Sequence, residues 1–237
     1  MPNVYTAHCK IVKFLLYFGT SMIKACIFDL DGTLTNSLHS IAYFVNTEIA
    51  QYGMPPVPAD DFKTLSGNGA RTLIKRVLAR YDKTDAQLEE KILRGYNAAY
   101  DADALYLCTA YAGTHSLLKE LKERSVSVNV LSNKPQSTTE KVVKTLFGEH
   151  TFSCIFGARD AVPLKPDPAG VYEILKTIGV KKEECLYIGD TATDIQTGKN
   201  AGLFTVGVLW GFRTRAELQA AGAAKIVKYP TEILDLL

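Results

Sequence analysis

Histidine is scarce and cysteine is scattered in this chain of 237 residues, and both shortages restrict its chemistry. The four histidines, His8, His39, His115 and His150, show no metal-ligand spacing, and none stands beside a plausible nucleophile. Zinc sites and Ser/His/Asp catalysis are therefore disfavoured. The five cysteines, Cys9, Cys26, Cys108, Cys154 and Cys185, are odd in number, form no C-x-x-C pair and in several cases lie inside apolar runs. They read as buried thiols of a cytoplasmic protein kept reduced. Charge of one sign is also missing. A formal net charge of +2 is too small to point to nucleic acid or a membrane surface, although a small anionic ligand remains allowed. Long apolar runs are absent as well. The stretch 10–18 falls far short of the roughly 20 residues that a spanning helix needs. Lys13 interrupts it, and no A-x-A-like cleavage site follows. Residues 1–21 are expected to form an N-terminal extension ahead of Met22.

What is present is the material of a folded α/β protein. Hydrophobic residues make up 47% and charged residues 22%, which argues against disorder, and the length suits one large domain or a core with an insertion. From Ser125 onward short apolar runs alternate with helical patterns: 126–131 then 138–147, 152–156 then 168–178, 185–188 then 193–201, and 204–208 then 214–221. These runs are too apolar to have one wet face. They imply a doubly wound parallel sheet, Rossmann-like, covered by helices on both sides, with 23–30 as its first strand. Residues 36–109 break the alternation. They show helical stretches at 37–52, 70–81 and 85–100 and no convincing strand, with Leu73, Ile74, Val77 and Leu78 at helical spacing. The expected organisation is a catalytic core of residues 22–35 and 110–237 with an all-helical cap, 36–109, inserted into it. Such an insertion can close over a site.

The chemistry concentrates at the ends of these strands, where open parallel sheets bind ligands. Asp29 and Asp31, at spacing two after an apolar strand, can turn both carboxylates to one face, and Gly32 lets the backbone bend sharply beside them. An aspartate is anionic at neutral pH and attacks phosphorus without a base to activate it. A plain Asp-Gly turn is the competing reading. Ser132-Asn133-Lys134 ends the second core strand, where hydroxyl, amide and backbone N–H groups suit phosphate oxygens; an ordinary strand-ending turn explains it equally well. Gly189-Asp190-Thr191-Ala192-Thr193-Asp194 places two more carboxylates around a turn. They offer the hard oxygen donors Mg²⁺ prefers, or else a turn residue and a helix N-terminal charge. Asp167, before Pro168, reads as a helix cap, and Lys165 takes its meaning from its neighbours. Against Asp29, Asp190 and Asp194, Lys165 and one Mg²⁺ make the pocket neutral, so a phosphate dianion can enter.

Taken in order, D-x-D-G-T at Asp29, the serine strand end, the lysine and G-D-x-x-x-D resemble the haloacid dehalogenase superfamily in its phosphatase branch. The match runs from about Met22 to the end of the chain. The resemblance implies Asp29 as nucleophile and Mg²⁺ ligand, and Asp31 as general acid/base and ligand through its backbone carbonyl. It implies Asp190 as a metal carboxylate and Asp194 as support for the metal shell. Ser132 and Lys165 would bind phosphate, assisted by Asn133, Gly32 and Thr33. Within the superfamily, the cap segment Phe62-Lys63-Thr64-Leu65-Ser66-Gly67-Asn68-Gly69-Ala70-Arg71 and Gly211-Phe212-Arg213-Thr214 look like phosphoglycolate phosphatases. Gly69 and Arg71 could then take a carboxylate or second phosphate at a helix N-terminus, or they form a solvated turn with a surface arginine. Where relatives often have Tyr-Pro-Gly, this chain has Ala110-Tyr111-Ala112-Gly113. The expected protein is a Mg²⁺-dependent phosphomonoesterase, monomer or homodimer, acting on a small phosphorylated metabolite with phosphoglycolate favoured. A β-phosphoglucomutase-type phosphomutase, a pyrophosphate or nucleotide phosphatase and a non-catalytic phospho-aspartate receiver module stand as alternatives.

Overall fold

The computed structural model describes residues 22–237. The expected N-terminal extension, 1–21, lies outside the described residues. Six strands form one parallel sheet: β1 (Ala25–Phe28), β4 (Ser127–Pro135), β5 (Cys154–Ala158), β6 (Cys185–Gly189), β7 (Phe204–Val208) and β8 (Lys225–Val227), in the order β5-β4-β1-β6-β7-β8. Ala25 is paired with Ser127 on one side and Cys185 on the other. β1 is therefore the point at which the winding reverses, so its carboxyl end opens into the crevice between the two halves.

The period of two along β1 is used on both faces. Cys26 and Phe28 join one apolar layer with Val128, Val130, Leu186 and Ile188. Ala25 and Ile27 join the other, beneath α7 (Ala169–Ile178), with Val171 and Ile174. Helices α5 (Thr114–Glu123), α6 (Gln136–Phe147), α8 (Ala192–Ala201) and α9 (Arg215–Ala221) complete the covering. This burial on both sides is why the strands lack polar alternation. Four cysteines, Cys26, Cys108, Cys154 and Cys185, are buried and free.

Residues 38–102 carry α1 (Leu38–Ala50), the short α2 (Phe62–Leu65), α3 (Ala70–Ala79) and α4 (Ala86–Ala102). α1 and α3 pack on α4. The packing is close at Gly95, where a Cβ would come within 2.2 Å of the Glu48 carboxylate. The segment is not wholly free of strand. Its two ends are tied by β2 (Thr35–Asn36) and β3 (Thr109–Ala110), an antiparallel ladder pairing Thr35 with Ala110. Two residues per strand are too few to leave a periodic signature in a sequence. The edge strand β8, with three residues, is likewise too short for a periodic signature. No helix among the described residues is long and apolar enough to cross a membrane.

Candidate active site

The parallel ladder carries Asp29 to the carboxyl end of β1, where its N–H still donates to Ile188 O at 2.9 Å. The chain then folds back, with Gly32 N–H donating to Thr35 O at 2.8 Å and Gly32 at φ +90°, a conformation that favours glycine. A second demand falls on Gly32, because a Cβ there would lie 2.3 Å from Asp190 Oδ2. Across the crevice, β6 ends at Gly189 and delivers Asp190, while Asp194 lies in the first turn of α8.

Asp29, Asp190 and Asp194 are buried, and one carboxylate oxygen from each lies within 4.8 Å of the other two. Lys165 Nζ donates to Asp29 Oδ1 at 2.6 Å and to Asp194 Oδ1 at 2.7 Å. Asp194 also serves its helix: its Oδ2 accepts from Thr191 N–H at 3.0 Å and Thr191 Oγ1 at 2.7 Å, while the Thr191 hydroxyl oxygen accepts from Asp194 N–H. This is a capping box, which bears out the helix N-terminal reading of Asp194 and leaves its Oδ1 to Lys165. Asp190 is held by Thr33 Oγ1 at 3.1 Å and by Phe212 N–H at 2.7 Å. The backbone passes so close there that a Cβ on Gly211 would lie 2.3 Å from Asp190 Cβ.

Three carboxylates face one ammonium in a buried space, and the titration directions follow from that excess. Burial and then Asp194 raise the Asp29 carboxyl well above its usual range, with Lys165 opposing. The same two causes push Asp190 up to about 7. Burial disfavours charge on Lys165, but Asp194 and Asp29 outweigh it and raise its pKa. Hard oxygen donors at this spacing, short of positive charge and with backbone rather than bulk packed behind them, fit a divalent cation such as Mg²⁺.

The structure gives several of the expected site residues protein partners. The Asn133 side chain is engaged by a backbone: its Oδ1 accepts from Lys165 N–H at 2.9 Å and its Nδ2 donates to Lys165 O at 3.1 Å. Asn133 thus aims Lys165, and it lines the same cleft as Asp29. Thr33 likewise spends its hydroxyl on Asp190. Ser132, by contrast, lines the cleft with Asp29, Asp31 and Lys165, and its Oγ accepts from Lys134 N–H at 3.2 Å. Gly69 also lines it. Arg71 does not. Its side chain is 53% exposed and paired with Glu89 at 2.9 Å and Glu90 at 2.8 Å, carboxylates of α4 that neutralise it on the surface. Asp167 stands one position ahead of the expected N-cap place, which Pro168 takes, yet its Oδ1 still accepts from the first N–H of α7, that of Ala169, at 2.9 Å.

The structure adds residues that the motifs did not mark. Lys134 Nζ lies 3.1 and 3.0 Å from the two carboxylate oxygens of Asp31. Arg213 Nη2 donates to Ser66 O at 2.9 Å, and Asn68 Nδ2 donates to Thr193 Oγ1 at 2.8 Å, so the loop before α3 is docked on the core. Lys134 and Arg213 stand inside segments already noted, but a lysine or arginine after a strand carries no local sign of its partner.

The family model for haloacid dehalogenase-like hydrolases matches residues 26–208, most of the chain. This chain belongs to that family. Two curated relatives of this hydrolase are a phosphoglycolate phosphatase of Pasteurella multocida, 34% identical over 81% of this chain and 88% of its own, and phosphoglycolate phosphatase 1 of Pseudomonas aeruginosa, 31% identical over 83% and 73%. A solved structure from Lactobacillus delbrueckii subsp. bulgaricus superposes with a TM-score of 0.85 at 27% identity, covering 90% of this hydrolase and 97% of that chain. A hydrolase from Pseudomonas syringae superposes at 0.74 with 25% identity, over 90% and 96%.

Proposed function

We propose that this hydrolase is a Mg²⁺-dependent phosphomonoesterase that works through a phospho-aspartyl intermediate, with phosphoglycolate as its leading substrate. The observation that carries the reading is Asp29, held by Lys165 at the carboxyl end of β1 in the same cleft as Asp31. A nucleophile, a phosphate-neutralising ammonium and a second carboxyl share one small space. Asp29, Asp190 and the Asp31 backbone carbonyl, supported by Asp194, would hold Mg²⁺, which supplies positive charge against the phosphoryl oxygens.

The chain's own groups account for the two steps. Lys165 and Ser132 receive the phosphoryl oxygens and orient phosphorus toward Asp29. An Asp29 oxygen attacks phosphorus, the bond from phosphorus to the leaving oxygen breaks, and Asp31 gives that oxygen its proton. A water then attacks the same phosphorus as Asp31 takes the proton back, and inorganic phosphate leaves with Asp29 restored. The preference for phosphoglycolate is drawn from the names of the curated relatives. The phosphomutase shares every group named here and differs only in the hydroxyl that takes the phosphoryl group, whereas a receiver module has no use for the second carboxyl at spacing two.

Comparing kcat/KM over a panel of phosphorylated metabolites is the test of substrate, with phosphoglycolate expected to lead. A sugar phosphate turned over by isomerisation without phosphate release would replace the reading with the mutase. Asp31→Asn tests the mechanism, because the amide keeps the backbone carbonyl and loses only proton transfer. On p-nitrophenyl phosphate the variant is expected to release about one nitrophenolate per site in a burst and then nearly stop. Steady, unslowed turnover would remove Asp31 from its role.

A further inference from the structure

Asp31 has to present its carboxyl first to a leaving oxygen and then to a water, yet it stands just before the turn at 32–34 and is 19% exposed at its side chain. A short carboxylate in that position needs something to hold it. Lys134 does so, touching both of its oxygens from β4, and the ammonium is itself 6% exposed. The third contact of the ammonium is Tyr100 Oη at 3.0 Å, and it also sits 4.1 Å from the centroid of the Tyr100 ring. Tyr100 belongs to α4, where it is wedged against Phe44 at 5.0 Å and Tyr96 at 5.5 Å between ring centroids.

An ammonium has three N–H donors. Here two oxygens of Asp31 and the hydroxyl of Tyr100 take up all three, which leaves none for the non-reacting end of a substrate. Lys134 is thus placed to act on Asp31 and not as a ligand of its own. We infer that Lys134 and Tyr100 are positioning residues for Asp31, and that through Tyr100 the helical segment 38–102 sets the aim of the proton-transferring carboxyl. This rests on the reading of Asp31 as acid and base. Its consequence is a division of labour in which binding and nucleophilic attack belong to Lys165, Ser132 and Asp29, whereas the accuracy of proton transfer depends on a contact between core and helical segment.

The full chain with Mg²⁺ is assayed as wild type, Lys134→Met, Tyr100→Phe, Asp31→Asn and the two double variants with Asp31→Asn. Lys134→Met is expected to lower kcat on phosphoglycolate by about 10- to 100-fold, a share of what general acid–base catalysis contributes, while KM changes little. Tyr100→Phe keeps the ring in place and loses one hydrogen bond, so it should lower kcat in the same sense by about threefold. Neither change should add to the loss already present in Asp31→Asn, because residues that act as a unit are not additive. The nitrophenolate burst, which scarcely needs an acid, should keep its rate in both single variants. If Lys134→Met fails to fold, Tyr100→Phe carries the same comparison. Additive losses in the double variants, or a raised KM for phosphoglycolate with kcat intact, would overturn the inference. If Asp31→Asn itself turns over at the wild-type rate, it is the reading of Asp31 that falls. If Asp31→Asn is slow while both positioning variants keep full kcat, only the positioning falls.

Discussion

Raising the pH of the metal-free protein from about 5 to about 7.5 is expected to destabilise it, which is the reverse of what an ion-paired aspartate ordinarily produces. Asp190 is fully buried, and burial together with Asp194 lifts its carboxyl from the usual 3.8 to about 7. The folded state therefore keeps this proton over a range in which the unfolded chain has lost it. Wherever the folded state binds more protons, stability falls as pH rises, so the loss begins near the unfolded value and is complete once pH passes the folded one. The gap of about three units corresponds to at most about 4 kcal/mol, of which roughly 2 to 3 fall between those two conditions. Asp29 is shifted in the same direction and adds to the slope. The raised Lys165 titrates above this window and does not oppose it. The assay is the urea midpoint in EDTA at both pH values, repeated with excess Mg²⁺, which takes over from protons as the counter-charge and should flatten the slope. Asp190→Asn removes the charge, keeps one acceptor oxygen for Phe212 N–H and turns an amide N–H toward the Thr33 hydroxyl oxygen, and should lose most of the Asp190 contribution. A metal-free wild type whose stability is flat or rises over this range would refute the account of the cluster as a site short of positive charge.

Chelating Mg²⁺ should abolish turnover and Ca²⁺ should fail to restore it, because its larger and more flexible coordination misplaces Asp29; undiminished activity in excess EDTA would dismiss the metal. Gly211→Ala should cost about 1 to 3 kcal/mol by overpacking and should weaken Mg²⁺ activation, since the added Cβ would lie 2.3 Å from both Asp190 Cβ and Gly32 O. An unchanged Mg²⁺ titration would show that the loop yields without moving Asp190. Arg71→Ala should leave kcat and KM for phosphoglycolate at wild-type values, removing two surface pairs each worth less than about 1 kcal/mol. A selective rise in KM for acidic substrates would return Arg71 to the substrate.

The pairs that no local pattern announces share one feature. Arg71 finds its partners 18 and 19 residues away on the next helix, Asn133 finds Lys165 at a separation of 32, and Thr33 finds Asp190 at 157. A side chain's type states which contacts it can make, and several chemically suitable partners exist for each. Arg71 had a substrate anion and two nearby glutamates to choose between, and the fold supplied the glutamates. Lys134 and Tyr100, 34 residues apart, met for the same reason. Neither has a spacing that would reveal it.

The sequence by itself determined the parallel sheet and the order of its motifs, because strand periodicity, apolar runs and turns are local and short-range sterics enforce them. It also determined which carboxylates stand at the strand ends: Asp29 and Asp31 after β1, Asp190 and Asp194 after β6. Only the tertiary structure decided that Asp29, Asp190 and Asp194 converge around Lys165, that Thr33 bonds the Asp190 carboxylate and Asn133 the Lys165 backbone, and that Asp31 is held by a lysine whose remaining donor belongs to a tyrosine of the helical segment. Those pairings are settled by burial. Once water is excluded, each polar group has to find a partner within about 3 Å, and only the packed chain states which group is there.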